Sequence, residues 1–133
     1  MKTIKQTVVF DGKIEDIFDG LSNGRTLTKI TGGKSSNNGK VGAKFSAWDD
    51  YIFGTNVEIV PNKKIVQKWA CEDFPKGHFS EVKFELKKLN EKQTELNFTQ
   101  DNVPDELYED LSTGWNEFYW EPIKDWLEDK IWG

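Results

Sequence analysis

The chain has few of the residues that build covalent or metal-held sites. Its 133 residues include one cysteine, Cys71, and one histidine, His78. A lone cysteine excludes an internal disulfide and is typical of proteins in a reducing compartment. One cysteine and one histidine do not make a zinc site without carboxylates, and no ligand-type spacing is visible. The sequence therefore predicts no metal and no cofactor.

Long apolar runs are absent as well. No run exceeds three residues, and the mean hydropathy is −0.69. This pattern predicts no membrane span and no signal-peptide core, so a soluble cytoplasmic protein is the expectation. The length fits one domain, residues 1–133, which buries about two thirds of its unfolded surface. Aromatic residues make up 14% of the chain and supply large buried areas.

Catalytic groupings are poorly supported. Any Ser/His or Cys/His arrangement would have to use His78, which follows Pro75 in a loop at a strand entrance. A hydrogen-bonded role that organises the loop is favoured there. The paired acids Asp49-Asp50 and Glu72-Asp73 fall in turns, where carboxylates stay solvated rather than serve acid–base catalysis. We therefore predict a protein without a catalytic site of its own.

The net charge of −5 is unevenly distributed. Residues 104–133 contain nine acidic and two basic residues, whereas no acidic residue occurs between Asp19 and Asp49. That interval contains five basic residues, which form a candidate partner-binding set: Arg25, Lys29, Lys34, Lys40 and Lys44. Such a split usually marks solvated faces, and it also steers charged partners. Nucleic acid is disfavoured, because the basic stretch lacks interleaved aromatics and the overall charge is negative.

Residues 104–133 organise the fold prediction. Pro104 suits the first turn of a helix, and acidic residues follow where the helix macrodipole favours them. Apolar residues then recur at spacings of three and four, at Leu107, Leu111, Trp115, Phe118, Tyr119, Pro122 and Trp126. This pattern predicts one long helix with a kink near Pro122. At Gly114 it predicts a close backbone approach or a need for space.

The residues before this helix alternate between apolar and polar side chains. Residues 3–10 predict a half-buried strand, and two short helices follow, starting near Lys13 and capped near Ser22 or Asn23. Residues 31–42 predict an exposed loop. Strands are then predicted at residues 43–48, 51–60, 63–71, 78–89 and 92–101. The order predicts an α+β helix-grip fold, in which a curved six-stranded antiparallel sheet surrounds the long C-terminal helix.

Two interpretations stay open for the aromatic residues. The helix stripe either packs as a filled core or leaves a cavity against the sheet, lined by Trp48, Trp69, Trp115 and Tyr119. Trp120 lies about 180° from Leu111 on a helical wheel, near Leu127 and Ile131. That strip is either a docking patch for a partner or packing under another segment. Phe74 is a smaller docking candidate of the same kind.

Short motifs over nearly the whole chain carry a family resemblance. They are Gly42–Phe45, Trp48–Asp50, Gly54–Pro61, Ile65–Trp69, Phe74–Ser80, Thr94–Leu96, Val103-Pro104 and Gly114–Trp120. On these motifs the chain resembles the C-terminal domain of the activator of heat shock protein 90 ATPase. That family lies within the START-type, birch-pollen-allergen-like helix-grip superfamily.

The resemblance implies a co-chaperone that contacts the dimerised N-terminal domains of heat shock protein 90 and favours their closed, ATP-hydrolysing state. Catalysis then belongs to the chaperone, and the activator needs only different affinities for two conformations. Full-length activators also carry an N-terminal domain for which this sequence has no room. Stimulation is therefore expected to be weak, dependent on a separate partner, or absent. The alternative, as in other superfamily members, is a carrier or cavity enzyme for a small hydrophobic ligand.

Overall fold

The part of the chain that the structure describes contains six strands and four α-helices. The structure is a computed structural model that describes the backbone of residues 1–132 and the side chains of residues 1–130. The elements are β1 Lys2–Phe10, α1 Ile14–Ser22, α2 Gly24–Thr31, β2 Lys44–Ala47, β3 Ile52–Val60, β4 Lys64–Cys71, β5 Ser80–Asn90, β6 Gln93–Val103, α3 Tyr108–Trp115 and α4 Glu121–Trp132. The predicted α+β helix-grip fold is confirmed. No helix within residues 1–132 is both long and apolar enough to cross a membrane.

All six strands join in one antiparallel sheet with the order β1-β6-β5-β4-β3-β2. Alternation is clearest in β5, where Val82, Phe84 and Leu86 are buried while Glu81 and Glu85 are exposed. One face of the sheet therefore packs against the core and the other meets solvent. β1 and β2 are the two edge strands of the sheet.

The two short helices close one end of the sheet. The Asn23 side chain accepts a hydrogen bond from the Arg25 backbone N–H at 3.0 Å and so caps α2, as the sequence predicts. The helix ends at Gly32, whose φ of 80° is the left-handed conformation that favours glycine. In the following loop, the Asn56 side chain donates to Asn37 Oδ1 at 2.8 Å and to the Lys40 carbonyl at 3.1 Å. These bonds fix the loop against β3.

The C-terminal segment is helical throughout residues 105–132, but its phase changes in the middle. A short 3₁₀ turn over Asp105–Leu107 leads into α3, and a five-residue π-helical turn, Asn116–Trp120, separates α3 from α4. The Glu121 N–H donates to the carbonyl of Asn116, five residues earlier, which is the hydrogen-bond spacing of a π-helix. Pro122 has no N–H to donate to the Phe118 carbonyl, so the ordinary α-helical bond is missing at this point. The structure thus has a π turn where the sequence predicts a kink.

The π turn corrects the predicted apolar stripe. A wheel drawn at about 100° per residue places Phe118 inside and Trp120 outside. In the structure Phe118 is 50% exposed and Trp120 is 1% exposed. The extra residue in the turn rotates the helix after it, and the buried positions continue at Ile123 and Leu127. Ile131, the third member of the predicted outer strip, lies outside the residues whose side chains are described.

Polar side chains inside the core hold the aromatic rings. Gln100 Oε1 accepts a hydrogen bond from Trp115 Nε1 at 2.8 Å. Gln6 Oε1 accepts one from Trp120 Nε1 at 2.6 Å, and Gln6 Nε2 donates to the Ser112 carbonyl at 2.8 Å. Each such bond contributes about 0.5–1.5 kcal/mol, and a partner left unpaired costs more. These bonds fix the rotation of the C-terminal helix relative to β1 and β6.

Candidate functional site

A partly open pocket of about 400 Å³ lies between the C-terminal helical segment and the ends of β3 and β4. Its size is in the range of small-molecule sites. All four residues predicted to line a cavity are in its wall: Trp48, Trp69, Trp115 and Tyr119. The helical segment also contributes Leu107, Asp110, Leu111, Gly114 and Phe118, and the strand ends contribute Tyr51, Ile52, Cys71 and Asp73. That a ligand occupies the pocket stays a prediction.

The inner wall of the pocket is a stack of aromatic rings. The Trp115 ring centroid lies 4.5 Å from that of Tyr119 and 5.7 Å from that of Trp69. All three side chains are at most 6% exposed. Burial raises the pKa of the Tyr119 phenol, so this wall stays uncharged. The hydrogen bond from Trp115 to Gln100 holds the ring that joins the other two.

The outer wall is a strained turn between β2 and β3. Trp48, Asp49 and Asp50 are consecutive non-glycine residues with φ of 53°, 56° and 70°. The left-handed region is unusual for a bulky side chain such as Trp48 and costs on the order of 1–3 kcal/mol. Two contacts keep the Trp48 ring in place. The ring packs directly on Gly33, so that a Cβ added there would lie 2.4 Å from it. The Phe118 ring packs edge-on against it, with ring centroids 5.5 Å apart.

Gly114 lines the pocket on its helical side. A Cβ at this position would make only ordinary contact, 3.7 Å from the Phe118 ring. The structure therefore contradicts a close backbone approach, one of the two predicted reasons for a glycine here, and an added Cβ would only take up part of the pocket. The π turn that follows places Tyr119 in the wall, and such turns are frequent at functional sites.

The mouth of the pocket is polar and acidic. The Tyr51 hydroxyl donates to the Asp73 carboxylate, and the Glu72 backbone N–H donates to the Tyr51 carbonyl at 3.0 Å. Burial, reinforced by the bond to Asp73, raises the pKa of Tyr51. Burial likewise raises the pKa of the neighbouring Cys71 thiol, which makes it a poor nucleophile near neutral pH. Asp110 adds a second exposed carboxylate to the lining.

Two predicted docking residues are buried, which corrects their assignment as exposed partner contacts. Trp120 is 1% exposed, because the π turn rotates it into the core, where it bonds to Gln6. Phe74 is 7% exposed, because its ring packs edge-on against Trp69 with centroids 5.5 Å apart. Among residues 1–130, the exposed aromatic side chains are instead Phe118 and Phe53, at 50% and 41%. Sequence periodicity could not reveal Phe118, since it assumes a uniform helix.

The five basic candidates are all exposed on connected elements. Two lie on α2, two in the loop after it and one at the start of β2: Arg25, Lys29, Lys34, Lys40 and Lys44. None of them forms an ion pair within the described residues. The hydrogen bonds of Asn56 to Asn37 and to the Lys40 carbonyl hold the loop that carries two of these residues; the five residues together are called the basic surface below. Nothing in the geometry assigns it a partner.

The remaining chemical candidates have structural surroundings. His78 Nε2 lies 2.8 Å from the Asn102 carbonyl oxygen, and its ring packs edge-on against Phe74. This arrangement agrees with the expected role of organising the loop before β5. Within the described residues, no group of three or more His, Cys, Asp or Glu side chains is placed to hold a metal ion.

Comparisons with known proteins agree on one family. The family model for "Activator of Hsp90 ATPase homolog 1-like protein" matches residues 11–128. A mouse protein named activator of 90 kDa heat shock protein ATPase homolog 2 is 30% identical over 122 residues, which cover 92% of this chain and 37% of the relative. A homolog from Dictyostelium discoideum is 28% identical over 123 residues, covering 92% and 32%. The chain thus spans about a third of the length of these curated relatives.

A solved structure shows a match over its full length. The crystal structure of an HSP90 activator from Plasmodium falciparum superposes with a TM-score of 0.90 at 27% sequence identity. The match covers 96% of this chain and 97% of that one. The fold described above therefore accounts for nearly all of that solved chain.

Proposed function

We propose a co-chaperone-like role in binding heat shock protein 90 for this chain, which belongs to the family of Activator of Hsp90 ATPase homolog 1-like proteins. The observation that carries the proposal is the family match over residues 11–128, together with the similarity to a solved Plasmodium activator chain of about the same length. In this role the chain acts by binding one conformation of the chaperone more tightly than another. The lone free cysteine, Cys71, supports a cytoplasmic location.

The basic surface is the contact we propose for an acidic face of the chaperone. Its five side chains are exposed and lie near no compensating carboxylate within ion-pair distance in the described residues. A charged surface of this kind increases association rates and fixes orientation, and its effect weakens as salt increases. The chain itself needs no catalytic residue, because the ATP is hydrolysed by the partner.

The test is a titration of purified heat shock protein 90 with this protein at low salt, with binding and ATPase rate measured together. We expect saturable binding and an increased ATPase rate. The double variant Lys40→Glu with Lys44→Glu should weaken binding by about tenfold, since each surface pair contributes up to about 1 kcal/mol. The matched control is Lys5→Glu with Lys92→Glu, which makes the same charge change at exposed positions outside the basic surface. Absence of binding at low salt would reject the proposal.

The pocket favours a second candidate function, the binding of a small apolar ligand. Its volume of about 400 Å³ and its wall of six aromatic side chains are the supporting observations. Titration with an apolar probe, followed by the indole N–H signals of the tryptophans, tests it. Saturable shifts confined to Trp48, Trp69 and Trp115 would support ligand binding. Shifts spread over the whole protein, or none, would reject it.

A further inference from the structure

The pocket combines aromatic faces with negative charge. Six of its lining side chains are aromatic: Trp48, Tyr51, Trp69, Trp115, Phe118 and Tyr119. Its two ionisable carboxylates, Asp73 and Asp110, are exposed, whereas the inner rings are buried. No lysine, arginine or histidine is among the described residues that line it. An aromatic interior with acids at the mouth is a specific chemical environment.

We propose that this pocket binds a small organic cation whose apolar body enters between the rings and whose ammonium group stays at the mouth. The inference rests on the proposed ligand-binding function and names the class of ligand. Aromatic faces attract a cation through the ring quadrupole, and cages of aromatic side chains bind quaternary ammonium groups in other proteins. The exposed carboxylates add direct attraction at the mouth, which surrounding water and salt weaken.

The charge arrangement disfavours the other ligand classes. An anion would meet two carboxylates and the negative faces of six rings, with no basic lining side chain to neutralise it. The basic residue that reaches the β2–β3 turn, Lys34, does so through its backbone carbonyl, which accepts from the Asp49 N–H at 3.0 Å. A neutral apolar molecule fits the rings equally well but gains nothing from Asp73 or Asp110.

Tyr51 is a positioning residue in this scheme. Its hydroxyl donates to one oxygen of Asp73, which restrains the carboxylate and leaves its other oxygen outside that hydrogen bond. Burial raises the pKa of Tyr51, so the donor keeps its proton over the physiological range. The strained Trp48 turn and the π turn hold the two sides of the mouth in place around it.

The experiment compares three probes of similar size and different charge. Phenyltrimethylammonium is the cation, tert-butylbenzene is its neutral isostere, and benzenesulfonate is the anion. Dissociation constants come from the shifts of the tryptophan indole N–H signals in the whole protein. We expect the cation to bind about tenfold more tightly than the neutral isostere, with no measurable binding of the anion.

Variants then assign the preference to the mouth. Asp73→Asn with Asp110→Asn should reduce the preference for the cation to about threefold or less, with the affinity for tert-butylbenzene unchanged. Tyr51→Phe should weaken cation binding alone. Asp125→Asn, an exposed acid on α4 that does not line the pocket, is the matched control and should change nothing. The three substituted acids are exposed, so these variants are expected to fold.

The outcomes separate the ligand class from the pocket itself. Equal affinity for the cation and the neutral isostere would overturn the proposed ligand class and leave an apolar binding pocket. No saturable binding of any probe would reject both. Retention of the full preference in the double aspartate variant would show that the acids are not involved, and would also overturn the proposal. Binding to heat shock protein 90 is measured separately and is not affected by any of these results.

Discussion

The phase change at the π turn makes a sharp prediction about two neighbouring aromatic residues. In a uniform helix Phe118 would face the core and Trp120 the solvent; the structure has them reversed, at 50% and 1% exposed. Trp120→Phe removes the hydrogen bond from the indole to Gln6 and part of a buried ring. The orphaned Gln6 oxygen costs about 1–3 kcal/mol and the lost volume about 1 kcal/mol. We therefore expect a loss of about 2–4 kcal/mol in the free energy of unfolding.

The comparison variant is Phe118→Ala. Full burial of a phenylalanine side chain contributes about 1.5–3 kcal/mol, and half of this ring is already exposed, so its removal should cost about 1 kcal/mol. Urea denaturation followed by far-ultraviolet circular dichroism measures both variants against the parent protein. The comparison holds where the free energy of unfolding falls with urea at the same slope in all three proteins. A larger loss for Phe118→Ala than for Trp120→Phe would refute the π turn and restore a helix of uniform phase.

Three further predictions concern the pocket. Gly114→Ala should stabilise the protein by up to about 1 kcal/mol, because alanine is the better helix former and its Cβ meets no close contact; thermal unfolding measures the gain, and a loss would contradict it. Gly33→Ala should displace the Trp48 ring, since its Cβ would lie 2.4 Å away; the Trp48 indole signal should shift while that of Trp120 stays fixed. The raised pKa values of Tyr51 and Tyr119 mean that the folded state holds protons that the unfolded chain loses near pH 10. Their contribution to stability is therefore complete below about pH 10 and is lost as the pH rises above it; alkaline denaturation of Tyr119→Phe should show a smaller loss than the parent protein.

Local sequence rules predict most of the fold. Alternation places all six strands, and the turn residues between them place their ends within a few residues of the observed ones. The cap at Asn23 is a local hydrogen bond, so it too follows from the sequence. These features depend on neighbours in the chain, which is why residue patterns reveal them.

The site is less predictable, because it depends on tertiary geometry. The sequence predicts the four cavity-lining residues because large aromatics on a helix stripe and on strands must meet. The π turn has no such local signature, so the residue pattern places Trp120 on the wrong face of the helix. Phe74 looks exposed in a loop, but it packs on Trp69 from a neighbouring strand, a contact that only the folded chain creates. The acidic mouth likewise joins Asp73 with Asp110, which are far apart in sequence.

The most direct test of the proposed co-chaperone role is the affinity of this protein for heat shock protein 90 in two conformations. Calorimetric titration would use the chaperone without nucleotide and the chaperone closed by a non-hydrolysable ATP analogue. A protein that acts by selecting the closed state must bind it more tightly, by about tenfold for a typical coupling free energy. Equal dissociation constants for the two states would contradict that role, however tight the binding.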